Sequence, residues 1–156
     1  MKRIYFTSIP LNTNFIIELK PLQTVGFTLK TDIKEYAYPI IPIIDATMRE
    51  GDEAKIVVVR QTNSEFNPNY EKFRAELDSL NLERIDVIDV AVDENQGEDL
   101  LLGLYKRLLT YTENDGCYYA DLTFGPKTLL ISSEIFLSYW KMPKNCSRIP
   151  RLHQKY

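Results

Sequence analysis

The densest chemistry in this chain lies in eight consecutive residues, Asp121-Leu122-Thr123-Phe124-Gly125-Pro126-Lys127-Thr128. They bring a carboxylate, two hydroxyls, a glycine and an ammonium to a point where a β-like run gives way to a helix-like one. The first turn of a helix presents unpaired N–H groups and partial positive charge. Gly125 lets a ligand or a second backbone come close. Lys127 adds a full positive charge where it opposes the helix dipole, so a basic residue there calls for an anion nearby. Binding of a phosphate-like group is the chemistry this spacing suits. Asp121 is expected to order the turn by accepting backbone N–H bonds rather than to touch the anion. The residue pattern alone leaves a plain strand–helix turn with a surface lysine equally open.

Such a turn needs strands and helices to hold it. Residues 2–8 read as a first strand, rich in β-branched and aromatic side chains. Runs 14–20 and 24–30, separated by Pro21-Leu22-Gln23, read as a β-hairpin. Ile40 to Met48, with Pro39 and Pro42 near its start and Gly51 beyond its end, reads as a helix. Ala54 to Arg60 is continuously apolar in its middle, as a strand buried on both faces must be. Asn67-Pro68 then opens a helix with Phe73, Leu77 and Leu80 on one face. A strand over Arg84 to Val90, a helix from about Gln96 to Tyr111, a strand over Cys117 to Leu122 and a helix over 126–140 complete the pattern. Alternation of strand and helix predicts an α/β fold. Its expected form is a Rossmann-like, mostly parallel sheet with helices on both faces and a β-hairpin inserted after the first strand. Ligands of such sheets bind at the carboxyl ends of the strands. That brings Thr7, Ser8 and Pro10, at the end of the first strand, into the candidate site.

Composition narrows the function classes. The chain has 156 residues, 44% hydrophobic and 26% charged, which are the proportions of one globular domain. A net charge of −3 argues against a protein that coats duplex nucleic acid. Residues 71–99 hold ten acids against three bases and read as a solvated face. The tail, residues 142–156, is basic and contains no acid. Cys117 and Cys146 form no CxxC, which excludes a zinc ribbon or thioredoxin site. Cys117 is expected in the core, and two isolated cysteines suit a reducing cytoplasm. One histidine, His153, makes a multi-histidine metal site or a Ser-His-Asp triad improbable. No signal peptide and no run long enough to span a membrane is visible, so a soluble chain is expected, either alone or as part of something longer. Scattered glycines exclude GxGxxG, and neither GxxxxGK[ST] nor GxSxG occurs.

The segment Tyr119 to Thr128 resembles the Asp-x-Thr-x-Gly-x-Lys/Arg motif of CARF domains, the Rossmann-fold sensors associated with type III CRISPR systems. The Thr7-Ser8 end of the first strand is similar to the family's hydroxyl-bearing loop, and several members carry a hairpin before the first helix. Phe124 and Pro126 fill variable positions of the motif. The resemblance covers most of residues 1–141, and the tail would supply a further strand or stand apart. It implies a homodimer that binds a cyclic oligoadenylate, most often the tetramer, across its two-fold axis. By position, Thr7 and Ser8 would contact ribose and phosphate. Thr123, Gly125, Lys127 and Thr128 would line the phosphates, with Pro10, Asp121, Phe124 and Pro126 beside them. No cofactor or metal is implied.

Two functions follow from the resemblance. The first is a sensor module that signals to an effector not visible in this chain. The second is a metal-independent ring nuclease, in which Ser8 would position the reacting group and Lys127 would stabilise the charged phosphorane. An unrelated α/β protein that binds another nucleotide or phosphate is the third reading. Tyr5, Phe6, Tyr36 and Phe124 are the aromatic candidates for stacking on adenine, with core packing expected for Tyr5 and Phe6.

Overall fold

The structure is a computed structural model, and it describes residues 1–9, 30, 36–62, 68–93 and 97–121. Four strands and three helices alternate along them. These are β1 (Lys2–Ser8), α1 (Ile40–Thr47), β2 (Glu53–Gln61), α2 (Pro68–Ser79), β3 (Ile85–Val92), α3 (Glu98–Leu109) and β4 (Cys117–Ala120). The strands form one sheet in the order β3-β2-β1-β4, parallel at every pairing. This is the Rossmann-like α/β architecture expected from the alternation. The hairpin over 14–30, the helix over 126–140 and the tail lie outside the described residues.

Side-chain alternation along the strands builds two cores. Tyr5, Ile56, Val58 and Tyr119 face α1 and α2, meeting Ile40, Ile41, Ile44, Phe73 and Leu77. Ile4, Phe6, Val57, Val59, Val90 and Tyr118 face the other way, meeting Leu104 and Leu108 of α3. Helices on both faces explain why the middle of β2 is apolar without interruption: Ile56, Val57 and Val58 are fully buried. Each such side chain contributes about 1.5–3 kcal/mol relative to exposure. The chirality of the connections fixes which helix covers which face. Right-handed crossovers from β1 to β2 to β3 put α1 and α2 on one side. The return past β1 to β4 puts α3 on the other.

Element ends differ from the sequence reading for local reasons. β3 begins at Ile85 rather than Arg84, because Arg84 is left-handed (φ +57°) and ends the turn begun at Asn81 (φ +49°). It also runs on to Val92, paired with Gln61. The glycine beyond α1 does not cap that helix. α1 stops where Met48 turns extended (ψ 141°), and Gly51 (φ +79°) serves the tight turn into β2. Pro42 sits in the first turn of α1 as expected. A Cβ at Gly116 would stand 2.8 Å from Ile4 Cδ1 and 3.1 Å from the Tyr118 hydroxyl, so a larger residue there needs those side chains to shift.

Charge is concentrated at the amino ends of the strands. Arg3, 5% exposed, donates from Nε to Asp52 Oδ2 (2.5 Å) and from Nη1 to the Tyr119 hydroxyl (2.8 Å). The Met1 amino group pairs with Asp52 Oδ1 at 2.9 Å. Burial alone would raise the Asp52 carboxyl, but hydrogen bonds from Arg3 and the amino terminus outweigh it and hold it below its ordinary 3.8. Lys2 and Lys55 converge on Glu113 beside this cluster.

Among the described residues, the acids of the 71–99 stretch form a solvated face with one exception. Glu71, Asp78, Glu83, Asp86, Asp89, Asp93 and Asp99 are exposed, but Glu76 is half-buried. Both its oxygens accept the Ala37 N–H (3.0 and 3.2 Å), so α2 pins the chain just before α1. Burial raises its pKa, against the opposing pull of backbone hydrogen bonds from Ala37 and Tyr38.

Candidate functional site

β1 has β2 on one side and β4 on the other, so the direction of strand addition reverses beside it. In open parallel sheets that reversal leaves a crevice at the carboxyl ends of the two strands. β1 ends there in Thr7 and Ser8, and β4 runs out at Ala120 into Asp121. Backbone bonds continue past the strand ends. The Ile9 N–H donates to Val59 O (3.0 Å) and the Asp121 N–H to Phe6 O (2.9 Å). These bonds hold the backbone at the ends of β1 and β4 up to Ile9 and Asp121.

Register decides which side chains meet. Tyr5 is opposite Tyr119 and Phe6 opposite Ala120, so the next row on the face of α1 brings Thr7 beside Asp121. The Thr7 hydroxyl donates to Asp121 Oδ2 at 3.4 Å, and both side chains are buried. Ser8, one residue later, falls on the opposite face with Ile4 and Phe6 and is also buried. Two adjacent hydroxyls thus straddle the tip of β1. Behind them the Tyr5 and Tyr119 rings stack, with centroids 4.9 Å apart and planes within 16°. Thr47 donates to Ile43 O (2.5 Å), which leaves its oxygen to accept from the Tyr5 hydroxyl (2.7 Å). Burial pushes the Tyr5 phenol well above its ordinary range, so it stays protonated and structural.

Of the residues read from sequence as ligand-binding, the structure brings together Thr7, Ser8 and Asp121. Pro10, Thr123, Phe124, Gly125, Pro126, Lys127 and Thr128 lie outside the described residues. Asp121 has a partner that the sequence reading did not foresee, a side-chain hydroxyl from a strand more than a hundred residues away. Among the aromatic candidates, Tyr5 and Phe6 are core residues as expected. Tyr36 is in the core as well, 2% exposed. Cys117 is buried as expected but is disulfide-bonded rather than a reduced thiol.

Thr62 extends the β2–β3 ladder, its N–H donating to Val92 O at 2.9 Å. α1 opens at Pro39 without a side-chain cap and without an acid in its first turn. One buried acid escaped the sequence reading. Asp45, 2% exposed on α1, accepts the Lys30 N–H at 2.7 Å. Its signal was its isolation, as the single charge in the apolar run Ile40 to Met48. Among the described residues no cluster of His, Cys, Asp or Glu could hold a metal ion, and no helix is long and apolar enough to cross a membrane. Comparison of the chain with protein-family models, with curated proteins and with solved structures finds no match.

Proposed function

We propose that this protein is a CARF-like sensor that binds a cyclic oligoadenylate, most often the tetramer, at the β1–β4 crevice of a homodimer. The observation that carries this reading is the contact between Thr7 and Asp121. It joins the hydroxyl-bearing end of β1 to the first residue of the Asp121–Thr128 motif, at the place where this class of sheet binds ligands. Lys127 and the amides following Gly125 would meet the phosphates, while Thr7 and Ser8 would meet the ring from the tip of β1. A two-fold ring on a two-fold dimer requires only half the contacts from each chain. A net charge of −3 is compatible with that, since a small ring needs a few local donors rather than a basic surface. Residues 1–141 would form the ligand-binding unit, and the signal would pass to an effector by rearrangement of the dimer.

Calorimetric titration with cyclic tetra-adenylate and with cyclic hexa-adenylate, followed by chromatography of the recovered ligand, tests the proposal. The expected result is binding of one ring per two chains with the ring intact. A ring recovered as linear product would replace the sensor with a ring nuclease, and Ser8 and Lys127 would become its catalytic candidates. Absence of binding to both rings overturns the reading.

A further inference from the structure

We infer that the exposed face of α3 is a self-association surface, on which two copies of this chain pair antiparallel with Leu102 of each seated over Gly103 of the other. α3 buries Leu104 and Leu108 against the sheet. On the opposite side of the helix Asp99, Leu102, Gly103 and Lys106 are all exposed. Their spacing of three, one and three places them on one stripe of an α-helix. Leu102 is 51% exposed and, with Met1, is one of two large apolar side chains left in solvent among the described residues. A lone exposed leucine is ordinary, but its neighbour is not. Gly103 stands in the middle of a 12-residue helix, where glycine is costly relative to alanine. A Cβ there would meet nothing within 4 Å, so no contact within the chain calls for the glycine. What it provides is a notch in the helix surface that lets another body come close.

The stripe is complementary to itself. In an antiparallel pair with its two-fold axis between positions 102 and 103, each residue 102 faces residue 103 of the other copy, and each 99 faces 106. The leucine of each copy then fills the notch of the other, and Asp99 faces Lys106 at both ends. Neither charge is served within its own helix. The positions three and four after Asp99, and four and three before Lys106, are in both cases Leu102 and Gly103. A parallel pair would set like charge against like, so the charges fix the antiparallel sense. One short helix from each copy makes a small interface, which suits a weak dimer in the micromolar range. α3 joins β3 to β4 of a parallel sheet and so runs against the strands. Antiparallel α3 helices therefore point the carboxyl ends of the two sheets in opposite directions. This contact is distinct from one in which two crevices share a ring, and it stands whether or not a ring binds.

Sedimentation equilibrium of the full chain without added ligand, from low micromolar to near-millimolar concentration, tests the inference. Wild type should be a weak dimer. Leu102→Ala should weaken it about tenfold or more, since each dimer loses two buried leucines. Asp99→Lys and Lys106→Asp, taken singly, each set like charges face to face at both ends and should weaken it about fivefold. The double reversal restores opposed charges and should recover most of that loss. Gly103→Ala should fill the notch and weaken association, yet raise the thermal midpoint of the dilute monomer, because alanine is the better helix former. A fall in that midpoint would show that the fold itself needs the glycine, and it overturns the inference. A chain that is monomeric throughout overturns it as well. So does a dimer indifferent to Leu102→Ala, and so does a double reversal that associates no better than either single one. No ring is present in these measurements, so their failure is separate from a failure of ring binding, which bears on the proposed function alone.

Discussion

The two ends of β1 and β4 differ in kind although only Ile4, Tyr5 and Phe6 separate Arg3 from Thr7. At the amino end Arg3, Asp52, the Met1 amino group and the Tyr119 hydroxyl form a buried, mutually satisfied ionic cluster. At the carboxyl end the polar groups are the hydroxyls of Thr7 and Ser8 and the carboxylate of Asp121. Arg3, Tyr5 and Thr7 lie in one row on one face, so a single strand carries both chemistries with the Tyr5–Tyr119 stack between them. A buried ion pair is rigid and leaves little to offer a ligand, and removing one partner leaves an uncompensated charge. Short hydroxyls are less costly to bury and retain lone pairs after one bond is made. The amino end thus holds the sheet together, and the carboxyl end is suited to recognition.

Substitutions can break this contrast. The largest effect is expected from Arg3→Ala, which removes the buried cationic partner of Asp52 and leaves it the Met1 amino group alone, and should cost about 3 kcal/mol in denaturant unfolding. Ligand affinity per folded molecule should not change. A ring affinity that falls in proportion would show that the two ends are one unit. Lys127→Ala should do the reverse, weakening ring binding by about 1–3 kcal/mol in calorimetry with the unfolding midpoint retained. Tyr5→Phe lies between the two ends. It removes the bond to Thr47 and keeps the stack, so it should cost about 1 kcal/mol in stability.

The finest test is the acid dependence. The Asp52 pKa is depressed, so its stabilisation is complete above 3.8 and is lost as pH falls through the folded value. The Glu76 pKa is raised, so its contribution has the opposite sign: present below 4.5 and lost as pH rises through the folded value. Unfolding free energies measured from pH 2 to 7 should therefore lose their steepest acid limb in Asp52→Asn. Glu76→Gln should keep that limb and lose some of the decline above pH 4.5.

Much of the fold was legible because the period of apolar side chains reports burial directly. Ile56-Val57-Val58-Val59 could only be a strand covered on both faces, and the spacing of Phe73 and Leu77 could only be a helix with one buried stripe. The end of β1 and Asp121 were also marked from sequence, since loops at strand ends are where small polar residues gather, and the structure brings Thr7 and Asp121 into contact. What escaped were facts set by contacts distant in sequence. The proton of Thr7 is directed by a residue 114 positions away. Glu76 looked like one acid among many until α2 folded against the chain before α1. Arg3 and Asp52 stand 49 positions apart, and nothing local in either segment marks them as partners. Arg84 and Gly51 were misread at element ends for a different reason: left-handed turns depend on how the chain must re-enter the sheet.

The odd-and-even placement of side chains in β1 has an evolutionary consequence. Insertion or deletion of one residue anywhere in Lys2–Ser8 would exchange the two faces downstream of it. Tyr5 and Thr7 would trade places with Phe6 and Ser8, so a helix-packing surface and the proposed pocket would be lost in the same event. A change of length by one residue in this strand is therefore costly. Exchange of one side chain for another keeps the register, and because Thr7 and Ser8 lie on opposite faces a substitution at one leaves the other's face unchanged.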